Sequence, residues 1–460
     1  MAHGAVADTP NDGFRPEQGA PSRPSWVGEA LDAAGSWSVR AKAPWLLGFL
    51  MLFDSWDSVV IAYTLPVLGG QWSLSALQSG WLISAGYGGQ FIGAIVFGSL
   101  AERHGRLPLL KLLVLVMSVL AIACAMAGSY EQLIAFRAVQ GLAIGGALPV
   151  AISYINEIAP TATRGRFFGT FQFLMVSGFG LAALFSAWLI PAFGWRIMFA
   201  LGAVPLLALP FTQMLPESPR WLAARGRGDA AARSLERLGS GSLPAVELRA
   251  PIVGGGNKVP FAMLFAPEIR TTFIVTTLLW FLTSLVSFGL VTWIPSIYVG
   301  TFKIPVAEAL RYNAIVAVSI FILPIILRQT IDRIGRRPLP MAGTAIGGIA
   351  LLAMIFIDLD ATFWLVGFAI VGQIGISIGS MVLWPSTAET YPTRIRSLAL
   401  GTSSSIARAA SMMTPLLVGG VLQLTGSVTL VFLVFGLASF AVAVLWLFCV
   451  RETAGRKMAD

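Results

Sequence analysis

The sequence predicts an all-α membrane protein, with twelve transmembrane helices in two pseudo-symmetric six-helix bundles. Three observations predict it. Of 460 residues, 56% are hydrophobic and only 12% charged, whereas a soluble domain averages about 25% charged. Apolar runs near the ~20 residues needed to span a bilayer recur twelve times. The chain also repeats itself at a nearly fixed interval.

The runs fall at 44–68, 79–101, 109–128, 133–156, 167–190 and 195–214, then at 271–299, 312–331, 339–357, 362–388, 398–422 and 427–450. The charged stretch 215–270, with Gly254-Gly255-Gly256, separates the two sets and reads as a central cytoplasmic loop. Residues 1–43 are rich in Pro, Gly and Ala and read as a disordered cytoplasmic tail, with a short surface helix between Trp26 and Trp37. No basic segment leads into an apolar core there, so the tail is no signal peptide. Residues 451–460 form a second cytoplasmic tail. Mean hydropathy of +0.78 agrees with lipid as the main solvent.

Charge fixes the expected orientation. Of the 31 Lys and Arg, only Arg196, Lys303 and Arg311 fall on the far side, and only Arg137 and Arg408 fall within spans. The rest cluster at one end, which the positive-inside rule assigns to the cytoplasm. The expectation is a multi-pass inner-membrane protein with both termini cytoplasmic. The net charge of +9 is then a topology signal and no sign of nucleic acid. Cys124 and Cys449 both lie in apolar runs, and the two histidines stand apart. Neither a disulfide framework nor a metal site is expected. No cofactor is implied, and without a phosphate-binding loop ATP is not the energy source.

The repeat is explicit. Glu157, Pro160, Thr161, Arg164, Gly169 and Thr170 recur as Glu389, Pro392, Thr393, Arg396, Gly401 and Thr402, all at an offset of 232. Glu102-Arg103-His104-Gly105-Arg106 recurs as Asp332-Arg333-Ile334-Gly335-Arg336, at an offset of 230. Two matches at nearly one offset imply a parallel duplication. Each motif places acids and arginines at helix ends by the membrane surface. Together with Glu217 and Arg220 they read as a cytoplasmic gate, whose ion pairs join two bodies when that side closes. The plainer reading is that they anchor helix ends and set topology.

These motifs resemble those of the major facilitator superfamily. Gly98-Ser-Leu-Ala-Glu102-Arg103-His-Gly105-Arg106 resembles its loop 2–3 signature, with Glu102 where Asp is usual. The second copy departs further, with Arg328 in place of the first Gly. Pro216-Glu-Ser-Pro-Arg-Trp-Leu222 and Glu452-Thr-Ala-Gly-Arg456 resemble the sugar-porter and organic-ion branches. Arg137-Ala-Val-Gln140-Gly141 fits span four, and Glu389-Thr-Tyr-Pro-Thr393 fits the end of span ten. Phe53-Asp54-Ser-Trp-Asp57 resembles span one of aromatic-acid and metabolite proton symporters. The Gln-Gln pair usual in span seven of sugar porters is missing; that stretch reads Trp280-Phe-Leu-Thr-Ser284-Leu-Val-Ser287. The resemblance thus implies transport by alternating access, and disfavours a sugar.

Charges inside the spans locate the chemistry. Asp54 and Asp57 share one helical face, and a charge at the bilayer centre costs about 2.5–3.5 kcal/mol. Two near carboxylates repel, so one holds its proton more tightly. The resemblance to sugar/proton symporters pairs Asp57 with Arg137 as a proton-coupling unit; the bland alternative is a static bridge. Arg408 matches a span-eleven Arg of the organic-ion carriers and is expected to bind a substrate carboxylate, unless an acid of the protein claims it. Gln172 and Trp384 match cavity positions of sugar porters, and Trp280, Ser284 and Ser287 are candidates for the same cavity. Helix packing is the alternative for each. The glycines of span two (Gly86, Gly88, Gly89, Gly93, Gly98) and span four (Gly141, Gly145, Gly146) read as close-packing surfaces that slide during alternation.

The reading is a proton-coupled importer of a small organic acid, with an aromatic acid favoured. Its partners are that organic anion, the proton and the lipid bilayer; nucleic acid is not among them, and a monomer is expected. A sugar, polyol or neutral-metabolite symporter is the alternative, drug-like efflux a third, and a non-transporting sensor a remote fourth. No nucleophile–base constellation marks an enzyme.

Overall fold

The computed structural model describes Val27, Leu31 and residues 39–160, 163–238, 260–357, 361–450 and 452. Of the expected tail helix only Val27 and Leu31 are described, both helical and buried; the Gly254–Gly256 linker and the side chains of Arg328 and Asp332 lie outside this description.

All twelve spans are present. They are Lys42–Trp72, Ala76–His104, Arg106–Met126, Tyr130–Ile158, Arg164–Phe193 and Arg196–Met214, then Pro267–Gly300, Val306–Leu327, Pro338–Phe356, Thr362–Thr390, Leu398–Thr425 and Val428–Phe448. Five of the twelve overrun the apolar runs at both ends, as the helix continues past the hydrocarbon region. Span two starts in a capping box, with Ser75 and Gln78 exchanging side-chain bonds with each other's backbone amides. Span six is the irregular one. Gly202, Pro205 and Pro210 divide it into helices Arg196–Leu201 and Pro205–Ala208 and a 3₁₀ turn Leu209–Met214.

Within the first bundle, spans two and four pack backbone to backbone. A Cβ on Gly89 or Gly93 would collide with Ala138 or Leu142, and one on Gly141 or Gly145 with Gly86 or Gln90. Gly343, Gly347 and Gly375 repeat this contact between spans nine and ten. These glycine faces therefore hold each bundle together internally. The expectation that they slide during alternation does not fit a contact buried inside one body, where packing is as dense as a crystal.

The bundles meet through span two against span eleven, span five against span eight, and span one against span seven. At the end away from the basic loops they touch closely. A Cβ on Gly80 would lie 2.6 Å from the Pro415 carbonyl oxygen, and one on Gly419 2.6 Å from that of Ala76. Ser84 Oγ donates to the Met412 carbonyl at 2.7 Å. At the basic end, by contrast, Cβ atoms on Gly98 and Gly401 would meet nothing within 4 Å.

Candidate functional site

Span one is the central helix, with 78% of its most apolar stretch enclosed by protein. Its acids are therefore held away from both lipid and water. Asp54 is 5% exposed, Asp57 0%, Arg137 2% and Gln140 0%. Ser58 Oγ donates to the Asp54 carbonyl, and Tyr87 Oη to the Ser58 carbonyl, which ties span two to span one.

The expected pairing of Asp57 with Arg137 takes a bridged form. Arg137 Nη1 donates to the Asp57 backbone carbonyl at 3.1 Å and to Gln140 Oε1 at 2.9 Å. Gln140 Nε2 donates to Asp57 Oδ2 at 3.2 Å. The guanidinium makes no direct ion pair with the carboxylate. The other oxygen, Asp57 Oδ1, is buried without a hydrogen-bond partner and faces Gly202, where any Cβ would collide with it. The break in span six thus makes room for this oxygen. Phe199 of span six lies under the guanidinium, 5.9 Å from ring centre to Cζ.

Asp54 also lies near a charge of the other bundle, without a direct ion pair to it. The charges acting on it are those of Arg408, from span eleven, and Asp57. The charge acting on Arg408 is that of Asp54. Asp54 Oδ1 is buried and unpartnered. The protein thus supplies its own acid opposite the arginine assigned to substrate.

A cavity of about 230 Å³ opens between spans one, five, seven, eight and ten. Its walls are aromatic and aliphatic, including Tyr63, Phe179, Phe288, Tyr298 and Phe321, with Ser287, Asn313, Gln373, Ser377 and Ser380 as polar points. Among the described residues, no charged side chain lines it. Of the residues read from sequence as substrate-binding, only Ser287 is in the wall. Arg408, Gln172, Trp384, Trp280 and Ser284 are not. Trp280 is buried, donates to Thr387 Oγ1 at 3.1 Å and stands edge-on to Trp384, ring centres 4.6 Å apart. Trp384 and Trp280 nevertheless extend the wall's own stripes, being seven residues from Ser377 and Ser287 respectively, about two helical turns. Tyr298 was missed from sequence; it is fully buried in the wall with an unpartnered Oη. A tyrosine near a helix end carries no mark of its own in a single sequence.

At the basic end the two halves carry matching latches. Arg106 pairs with Glu157 at 3.1 Å, and Arg336 with Glu389 at 2.7 Å. Each of these ion pairs lies within one half, whereas the sequence reading had gate pairs joining the two bodies. The cause is local: each arginine begins span three or nine beside the end of span four or ten of its own bundle. Glu217 accepts the Leu107 amide at 3.1 Å, and Glu452 accepts the Arg336 and Arg337 amides at 3.0 Å each. Both carboxylates cap a helix N-terminus, where exposed amides and the helix dipole favour an anion. Both sit against glycines with left-handed φ, Gly105 at 102° and Gly335 at 109°. Burial pushes the Glu217 carboxyl above its ordinary value, against the amide bonds that favour its charged form. Glu452 was quoted in the sequence without a role; its equivalence to Glu217 was available from the repeat.

The other gate candidates are more loosely placed. Trp221 Nε1 and Arg225 both donate to the Glu102 carbonyl, docking helix Pro219–Ala224, which carries Arg220, onto the first bundle. Arg396 donates to the Tyr391 carbonyl at 3.2 Å. Arg164 Nε is buried without a partner, while Arg103 and Arg333 are exposed.

Two six-helix bundles, a cavity between them and buried opposite charges beside it define a secondary transporter. The profile of the sugar (and other) transporter family matches residues 41–460, and the chain belongs to that family, within the major facilitator superfamily. It is 30% identical over 423 residues to the niacin transporter NiaP of Acinetobacter baylyi, covering 90% of this chain and 94% of that one. It is 29% identical over 425 residues to a gallate transporter of Pseudomonas putida, covering 91% and 92%. In fold it is similar to the xylose transporter XylE from E. coli in an inward open conformation. There the TM-score is 0.70 at 21% identity, covering 91% of this chain and 98% of that one.

Proposed function

We propose that the protein is a proton-coupled importer of a small aromatic carboxylate. The observation that carries this is the set of buried charges at the bundle interface. Asp57 and Arg137 are bridged through Gln140 within the first half, and the charge of the half-buried Arg408 reaches Asp54 from the second half. Buried charges inside a membrane are retained for function. An arginine with a planar fork can exchange a protein carboxylate for a substrate carboxylate, and an aromatic-walled cavity nearby suits a ring. The relatives named for niacin and gallate transport support the same class.

In this reading Asp57 carries the proton, Arg408 meets the substrate anion, and the basic end is cytoplasmic. Close contact at Gly80 and Gly419, with open space at Gly98 and Gly401, is then an inward-facing state. The latches fix the geometry of each half's cytoplasmic loops while the halves rock.

The uncharged cavity favours one second reading. Its hydroxyls and amides, from Tyr63, Asn313, Gln373 and Ser377, would also serve a neutral polyol. Uptake into proteoliposomes under an inward proton gradient separates the two. Labelled nicotinate and 4-hydroxybenzoate are expected to accumulate and labelled xylose not. Accumulation of xylose alone sinks the carboxylate reading.

A further inference from the structure

We propose that Gln140 is a positioning residue that couples the protonation state of Asp57 to Arg137, its carboxamide standing where a direct ion pair would be. The proposal rests on the reading of Asp57 as the proton carrier.

The geometry is specific. Gln140 follows Arg137 by three residues, so both side chains leave one face of span four. Its Oε1 accepts from Arg137 Nη1 at 2.9 Å, and its Nε2 donates to Asp57 Oδ2 at 3.2 Å. The carboxamide cannot turn over freely. Nε2 also donates to the Met117 carbonyl at 3.3 Å, and a carbonyl can only accept. Cys124 Sγ approaches Oε1 at 3.7 Å from the donor side, which fixes the same orientation. Gln140 is fully buried, so no water competes for these bonds.

The bridge responds to charge. A donor to a carboxylate makes a bond roughly twice as strong as a donor to a neutral acid. A proton on either oxygen of Asp57 therefore slackens the Gln140 end of the bridge. The Arg137 end then loses the partner that holds its acceptor in place. Arg137 keeps one other anchor, the Asp57 backbone carbonyl, which does not titrate. Its Nη2 lies against Gly86 of span two, where a Cβ would come within 2.9 Å. Motion of the guanidinium is thus felt at the face where span two packs on span four.

The titratable and charged groups around Asp57 come from several elements. Asp54 on span one, Cys124 on span three and Arg137 on span four act on Asp57 itself; Tyr87 on span two acts with Arg137 and with Tyr63 on span one, and Arg408 on span eleven acts on Asp54. Span six contributes only Gly202 and Phe199, which do not titrate.

Infrared titration of the purified full-length protein in lipid nanodiscs reads the carboxyl band directly and needs no substrate. The Asp57 component is the band lost in Asp57→Asn. In Gln140→Met, which keeps the side-chain volume, its midpoint is expected to move to higher pH by about one unit, because the carboxylate loses a donor. In Gln140→Glu the shift is larger, since two adjacent carboxyls share a proton. Should Gln140→Met fail to fold, Gln140→Glu, which has the native shape, decides alone. A band that is lost in Asp57→Asn but keeps its midpoint in the Gln140 variants overturns the bridge alone. A band that persists in Asp57→Asn overturns both the bridge and the proton-carrier reading.

Discussion

The two halves of this protein share a scaffold and differ in chemistry. Both carry the latch: an arginine paired to a glutamate, and a second glutamate capping the next span under a left-handed glycine. Only the first half carries the buried acids and their arginine. At the repeat-related positions of Asp54, Asp57 and Arg137 the second half has Val286, Gly289 and Ala369. The second half instead supplies most of the cavity wall, from spans seven, eight and ten. Duplication preserved what each body needs to hold its shape. Divergence then left the buried acids with one body and most of the uncharged cavity wall with the other, with Arg408 as the second half's own charge inside a span.

The largest expected effect tests that division. Asp57→Asn should abolish gradient-driven accumulation in proteoliposomes while sparing substrate exchange, because exchange needs no net proton movement. The reciprocal change, Gly289→Asp at the matching site, should not restore it. Phe435 already occupies the space a Cβ would need there. Full accumulation by Asp57→Asn would end the assignment of proton handling to the first half.

A second test concerns the contact between the halves. Gly80→Leu inserts a side chain against the Pro415 backbone, and overpacking of this kind costs about 1–3 kcal/mol. In the proposed alternation that contact forms only when this end is closed, so the cost should shift the conformational equilibrium by roughly 5–150-fold toward opening at that end. Double electron–electron resonance between labels on the Ala76 and Leu424 ends of spans two and eleven would show the distance lengthen. Gly98→Leu, at an open position, should leave the same distance unchanged.

The latches should behave alike if the symmetry is functional. Glu217→Ala and Glu452→Ala each remove a half-buried acceptor from helix-terminal amides, at about 1–3 kcal/mol. Comparable losses of thermal stability are expected for both, and a large inequality would show that one latch matters more. The smallest effect is a pH dependence. Folding raises the proton affinity of Glu217, so the folded state binds that proton more tightly than the unfolded chain. Its contribution to stability is then greatest below the ordinary glutamate value and falls as pH rises through the folded one. Glu217→Gln should flatten that portion of the thermal stability profile.

Much of the fold was legible in the sequence, because span length and charge poverty are imposed by lipid and the duplicated motifs are contiguous. Asp54, Asp57, Arg137 and Arg408 were legible for the same reason: a charge in an apolar run has no solvent to excuse it. The partners were harder. Helical spacing shows that Gln140 shares a face with Arg137, yet only the packing of spans one and three shows what that face meets. The cavity wall was least legible, since Tyr298, Asn313 and Gln373 are ordinary residues in their spans. Gln172 and Trp384 were placed by counting from helix ends. Counting fixes a residue's height along its own span and leaves open which neighbouring helix it faces.

The glutamate latch has a consequence for assembly. Residue 217 returns to the loop before span three, and residue 452 to the loop before span nine, so each bundle is closed by a carboxylate of its own. The helices Pro219–Ala224 and Gly228–Leu238 also dock on the first bundle. Both latches and both of these helices lie outside residues 239–259. Two polypeptides divided there each retain a complete latch, and co-expressed they should find one another in the membrane and restore uptake.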